Sequence, residues 1–246
     1  MNQQLENKKI IVTGGSRGIG KAIVLKLAAH GAHVLFSYQS NEAAAKETQA
    51  QAQASGGMAV GIQVDITKLD DLKRLFKYFP SEFGGKTDMY IGNAFPAAAY
   101  APTAMLPEQA FDSMFAAVKG HYFALQQAAQ HLNENGKIIV FSSGAAAMPR
   151  MANGAYAGAK AAIERFALSL SKELGQQKIT VNVVSPGVTQ TDGLVAPQEM
   201  IDSLVAQTPL GRLGQPDDVA NAVVQLCLPD MAWVNGQIIQ VNGGIL

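Results

Sequence analysis

The 246-residue chain holds a single cysteine, Cys227, which excludes an internal disulfide framework and suits a reducing cytosol. Its neighbours Leu226 and Leu228 are apolar, so it reads as a buried structural thiol rather than a nucleophile. An excess of charge is missing too: 19 basic and 19 acidic side chains cancel, and no basic run stands out. The balance offers no footprint for nucleic acid or an anionic membrane, so neither is expected as a partner. No segment approaches the roughly 20 apolar residues of a membrane span. The N-terminal MNQQLENKK lacks the apolar centre of a signal peptide, which makes the cytoplasm the expected location. Low-complexity tracts, solenoid periods and dividing linkers are absent, so one domain over residues 1–246 is expected. The four histidines, His30, His33, His121 and His131, show no metal-ligand spacing. They read as structural or exposed, and no metal is expected.

What is present is apolar content, 48% of the chain, arranged as strand-helix alternation. KKIIVT at 8–13 reads as a short buried strand, followed by a helix from about Gly18 to His30 that Gly31 ends. Further strands are expected over His33–Ser37, Ala59–Val64, Asp88–Ile91, Lys137–Ser142, Ile179–Val184 and Gln237–Val241. Helices are expected over 41–54, from Thr67 as an N-cap, from Pro107 to about Leu132, from Asn153 to Leu174 and from Pro216. Residues 188–208 read as a loop with a short helix. Six or seven such repeats predict an α/β fold, a parallel sheet of about seven strands covered by helices on both faces. Ligands bind such sheets beyond the carboxyl ends of the strands, where the chemically suggestive residues of this chain collect.

The densest cluster of chemistry is SGAAAMPRMANGAYAGAK at 143–160. Tyr156 and Lys160 are four apart and share a helix face, and Ser143 sits at a strand exit. A free tyrosine has a pKa of about 10. A neighbouring ammonium favours the phenolate, which predicts a tyrosine able to act as acid or base nearer neutral pH. The alternative is an exposed pair and an ordinary surface serine.

GGSRGIG at 14–20 lies between the first strand and helix. Gly14 allows a tight turn, Gly18 a close approach to a pyrophosphate, and Gly20 close helix-sheet packing, while the helix N-terminus favours phosphate. The alternative is a plain turn. An acid at the end of the second strand would bind a ribose 2′-hydroxyl, but Phe36-Ser37-Tyr38-Gln39-Ser40-Asn41 has none before Glu42. Arg17, with Ser37 and Ser40, can meet a 2′-phosphate instead, so NADP(H) is the expected cofactor, against a solvated Arg17 and loose selectivity.

Together these motifs resemble the short-chain dehydrogenase/reductase family over nearly the whole chain. TGGSRGIG at 13–20 is similar to its cofactor loop, Asp65 (beside Ile66) to its adenine contact, and Asn93-Ala94 to part of its Asn-Asn-Ala-Gly motif. Ser143, Tyr156 and Lys160 match its catalytic serine, tyrosine and lysine, and Pro186-Gly187 with Thr191 its nicotinamide contact. The stretch from Gly211-Arg212 to Asn242-Gly243-Gly244 resembles the 3-oxoacyl-carrier-protein-reductase-like branch. The resemblance implies a doubly wound Rossmann-type domain that reduces a ketone with NADPH. Tyr156 would protonate the alkoxide, Ser143 would hold the carbonyl oxygen, and Lys160 would hold the ribose and lower the tyrosine's pKa. It implies cofactor contacts at Gly14, Ser16, Arg17, Gly18, Ile19, Gly20, Ser37, Asp65, Ile66, Asn93, Ala94, Tyr156, Lys160, Pro186, Gly187 and Thr191. It also implies a homo-oligomer, a tetramer or a dimer.

Two departures stand out. Phe95 occupies the last position of the Asn-Asn-Ala-Gly motif, which would put a ring beside the nicotinamide. The family's catalytic asparagine, which anchors a water beside the lysine, falls on Ala117 or Val118, unless a one-residue deletion shifts the helix register. Phe95, Tyr100, Met148, Met151 and Leu194-Val195-Ala196 are mostly apolar and lie on loops expected around the substrate. They imply an apolar or aromatic ketone or alcohol, or else ordinary loop packing. Arg150 is either a contact for an anionic tail or solvated. Two other readings stay open: an alcohol dehydrogenase working oxidatively, and a cofactor-binding protein impaired in catalysis.

Overall fold

The computed structural model describes residues 4–148, 150–194 and 196–245. β1 (Lys9–Thr13), β2 (His33–Tyr38) and β3 (Met58–Gln63) step outward in one direction. β4 (Thr87–Gly92), β5 (Leu132–Phe141), β6 (Thr180–Pro186) and β7 (Ile238–Val241) continue on the other side of β1. The order β3-β2-β1-β4-β5-β6-β7 is parallel at every pairing, as the alternation predicted. The reversal between β1 and β4 opens a crevice at the carboxyl ends of the strands.

Strand periodicity sends successive side chains to opposite faces. Ile10, Val12, Val34, Phe36, Met89, Ile91, Ile139 and Phe141 pack on one face. There they meet α1 (Gly18–Ala29), α2 (Glu42–Ala54) and α7 (Pro216–Cys227). Ile11, Leu35, Tyr90, Ile138, Val140, Val181 and Val183 point the other way. They meet α3 (Leu69–Phe83), α4 (Glu108–His131) and α5 (Gly154–Glu173). α6 (Gln198–Gln207) lies between β6 and α7 in the chain and contributes no fully buried residue. Cys227 is buried at the end of α7, and burial pushes its thiol up to about 12, far from a reactive thiolate.

Two local expectations are corrected. Thr67 does not cap α3, whose N-cap is Lys68 without a side-chain bond. Asp65 Oδ1 accepts from the Thr67 amide at 3.0 Å and from its hydroxyl at 2.7 Å, so a turn claims the hydroxyl first. β5 begins at Leu132, five residues before the expected start, and shifts register against β4. Its early part, Asn133-Glu134-Asn135-Gly136, has no apolar alternation, and Asn135 takes φ +61°. The long helix α4 runs unbroken through Ala117, Val118 and Gly120, so no shift of register rescues an asparagine.

Gly20 sits where α1 crosses the loop. A Cβ there would stand 2.0 Å from the Gly14 carbonyl oxygen and 2.6 Å from Asn93 Nδ2. Gly20→Ala is expected to cost about 1–3 kcal/mol in denaturant unfolding. Gly158→Ala on α5, whose Cβ would meet nothing within 4 Å, should be neutral or stabilising by up to about 1 kcal/mol.

Candidate active site

The glycine loop leaves β1 at Thr13 and is braced from two sides. Gly14 takes φ +71°, and its amide donates to Ser37 Oγ at 3.2 Å. The Gly15 amide donates to the Ser37 carbonyl at 2.9 Å. From β4, Asn93 Nδ2 donates to the carbonyls of Thr13 and Gly14, each at 3.1 Å. The Thr13 hydroxyl accepts from the amides of Asn93 and Ala94 at 3.1 and 3.2 Å. Thr13 was not singled out in the sequence, although its place as the last residue of a buried strand was a usable signal. Ser37 is corrected: it is 1% exposed and supports the loop from beneath, so it does not face a phosphate at the rim.

Above the brace, the first turn of α1 holds no acidic residue, and Arg17 at the N-cap makes no side-chain bond to the helix. The leading amides are therefore open to a phosphate, with the helix dipole aligned to favour it. Arg17 is exposed, Ile19 packs half-buried against the core, and Ser16 is nearly buried, its carbonyl 3.4 Å from Thr48 Oγ1. Thr191 crosses from the β6 side: a Cβ at Gly18 would lie 3.3 Å from Thr191 Cγ2. Pro186 ends β6, and the Gly187 amide donates to the Val241 carbonyl at 3.0 Å. Asp65 and Ile66 follow β3, and the Ile66 carbonyl presses on α4 at Gly120, leaving 2.3 Å for any Cβ there. These residues form a cradle that fits a dinucleotide: glycine-lined, with free amides at one end and a basic side chain at its rim.

Ser143, Tyr156 and Lys160 converge beyond the end of β5. Ser143 is the N-cap of a single 3₁₀ turn, its Oγ accepting from the Ala145 amide at 3.3 Å. The Tyr156 hydroxyl is within hydrogen-bonding reach of the Ser143 side chain. Burial raises the Tyr156 pKa above its ordinary value; the bond to Ser143 opposes this and the nearby Tyr100 adds to it. This corrects the expectation of a phenol acidified by its lysine. Lys160 Nζ is turned to the Phe141 carbonyl at 3.2 Å and stands 5.9 Å from the Tyr156 ring centroid. Lys160 is itself 3% exposed, and desolvation brings its pKa down to about 7.

Phe95 makes a contact that the sequence did not show: its ring lies under the Lys160 ammonium, 4.0 Å from Nζ to the centroid. Next to it His121, on α4, donates its Nε2–H to the Ala94 carbonyl at 2.8 Å. Burial first, and the Lys160 charge second, push its pKa down to about 4, so it is neutral. The structural reading of His121 fits, but its closeness to Lys160 was invisible in the sequence. Ala117 is fully buried and Val118 packs with Met114 and Ala159 beneath Tyr156, so apolar contacts fill the place of an asparagine. A further polar pair went unnoticed: Ser142 Oγ donates to Glu164 Oε1 at 2.6 Å, both buried. Glu164 lies four residues after Lys160, a spacing that puts it on the same helix face.

On the outer side, Tyr100 is 64% exposed and meets the Tyr156 ring edge-on at 5.7 Å. Its loop is tied to the one before α5 by the Ala101 amide donating to the Ala152 carbonyl at 2.9 Å. Met151 stands in solvent at 95% exposure, so it marks a rim and not a pocket wall as expected. Met148 and Leu194 are half-buried, and the Leu194 amide donates to the Thr191 carbonyl at 2.9 Å. Val195 lies outside the described residues.

Known proteins match this chain along almost its full length. The family model described as enoyl-(acyl carrier protein) reductase matches residues 14–246. A hydroxynaphthalene reductase-like protein of Metarhizium brunneum is 38% identical over 258 residues, covering 98% of this chain and 96% of that protein. A short-chain dehydrogenase/reductase from Serratia marcescens superposes with a TM-score of 0.94 at 31% identity, covering 98% of this chain and 99% of that one. A short-chain dehydrogenase from Burkholderia cenocepacia, solved in complex with NADP, gives 0.92 at 33% identity and the same coverage. With a cradle for a dinucleotide, a serine-tyrosine-lysine cluster at its mouth and relatives matched along almost its full length, the chain belongs to the short-chain dehydrogenase/reductase family and is an NAD(P)-dependent oxidoreductase.

Proposed function

We propose that the protein reduces the ketone carbonyl of an apolar or aromatic small molecule to an alcohol, with NADPH as reductant and Tyr156 as general acid. The observation that carries this reading is the Tyr156 hydroxyl beside Ser143, in surroundings that keep it protonated. Bound NADPH supplies the hydride. The amides at the start of α1 would hold the pyrophosphate, Arg17 would meet the 2′-phosphate, and Asp65 with Ile66 would border the adenine. Pro186, Gly187 and Thr191 would border the nicotinamide, and Lys160 would hold the adjoining ribose.

At the carbonyl, the Ser143 hydroxyl donates a hydrogen bond to the oxygen and stabilises the charge that develops there. Tyr156 gives that oxygen its proton. A phenol whose burial resists ionisation stays protonated at neutral pH and so holds the proton to be given. The exposed Tyr100, edge-on to Tyr156, and the apolar rim at Met151 suit an aromatic substrate. The Metarhizium relative is named for a hydroxynaphthalene, a fused-ring aromatic, which supports an aromatic substrate here.

NADPH consumption with a panel of activated ketones, fused-ring aromatics included, tests the reading. Tyr156→Phe is expected to lower kcat by roughly 10²–10⁴-fold while NADPH still binds. Turnover surviving that change removes Tyr156 from its role. NADPH binding by the wild type without turnover of any ketone favours the cofactor-binding reading instead, to which the apolar packing of Ala117 and Val118 lends support.

The pH dependence follows from Lys160. Its amine is protonated below about 7 and loses its charge as pH rises through that value. The kcat/KM for reduction should therefore decline on the alkaline side with a midpoint near there, and Lys160→Met should abolish the limb. Arg17→Ala should weaken NADPH about ten- to a hundredfold, the loss of a charge-assisted bond, and leave NADH nearly unchanged in a fluorescence titration.

A further inference from the structure

Phe95 follows Asn93 and Ala94 out of β4, and its ring is the common neighbour of three groups on two helices. The Lys160 ammonium stands 4.0 Å from the ring centroid. The Tyr156 ring meets it at 5.9 Å and 71°, edge against face. The His121 ring, from α4, lies at 6.2 Å and 34°.

Lys160 forms no ion pair among the described residues. Glu164, one turn along α5, accepts from Ser142 and lies 4.0 Å from Arg165. His121, neutral and bound to the Ala94 carbonyl, offers no counter-charge, and Tyr156 and Tyr100 remain protonated phenols. Among the described residues, the Phe141 carbonyl is the one hydrogen-bond acceptor for the amine. A buried ammonium without a carboxylate is costly unless other negative potential faces it, and an aromatic face supplies that.

We propose that Phe95 is a positioning residue for the reaction: its ring face holds the Lys160 ammonium and braces the Tyr156 ring, setting the orientation of both. The inference rests on the reductase reading of the site. It gives Phe95 a place behind the reacting groups and not in the wall that contacts substrate.

The test compares Phe95→Leu, which keeps apolar bulk without an aromatic face, with Phe95→Tyr, which keeps the face. Phe95→Met serves as a second apolar replacement should the leucine variant fail to fold by circular dichroism. In the leucine variant kcat is expected to fall about tenfold, with KM for the ketone changed by less than about threefold. The Lys160 amine, followed by NMR titration in the protein alone, should show its midpoint lowered by about one pH unit, because the ring no longer favours the charged form. The tyrosine variant should restore both. A leucine variant with wild-type kcat and an unmoved midpoint overturns the proposal. So does one that raises only KM, which would make Phe95 a substrate wall, or a tyrosine variant as impaired as the leucine one. Tyr156→Phe run alongside separates the two levels. If it stays active the reductase reading has failed, whereas if it is dead and Phe95→Leu is normal, only the role given to Phe95 has failed.

Discussion

The clamp between Asn93 and the end of β1 is the interaction on which the rest of the site depends. It joins the ends of the two strands at which the strand order switches from one side of β1 to the other, the place where the crevice opens. Thr13 completes it in the opposite sense, its hydroxyl accepting two amides from β4. With both strand ends held, Gly14 can adopt its left-handed turn and α1 can start close against it, leaving no room for a side chain at Gly20. The same clamp sets where Phe95 leaves β4 and so where the Lys160 amine rests. A handful of neutral hydrogen bonds, each worth about 1 kcal/mol net, thus helps to place the ring that faces the Lys160 amine.

The electrostatics of the centre follow from burial without ion pairing. Lys160 and His121 are buried, and Tyr156 packs against the apolar cluster of Met114, Val118 and Ala159. Low polarity pushes each toward its neutral form: the amine and the imidazole downward, the phenol upward. The charges that survive are held by weak partners, a carbonyl and an aromatic face, so the site is responsive to what binds in it. An anionic or hydroxyl-bearing ligand arriving at Lys160 meets an amine with spare donors, since among the described residues only one of its three is engaged.

Legibility in the sequence followed range of interaction. The strand-helix alternation, the glycine loop and the serine-tyrosine-lysine spacing are local patterns, and the sheet that resulted is the one they imply. Thr67 failed as a cap because a carboxylate two residues earlier competed for its hydroxyl, a contest that propensity alone does not decide. Ser37 was misplaced because strand register turned it beneath the loop. The acidified tyrosine did not appear because spacing on a helix gives proximity along the backbone, while the tip of a lysine goes wherever the nearest acceptor stands.

By itself, then, the amino-acid order determined which strands and helices form, that they alternate, and that the reactive residue types gather at one edge. These follow from side-chain periodicity and turn chemistry within a few residues. Only tertiary structure decided that Phe95 underlies the amine, that Asn93 ties two strand ends together, and that Met151 points into solvent. Each of these depends on segments far apart in the chain meeting across the switch in the sheet, where burial and hydrogen-bond geometry, not spacing, choose the partner.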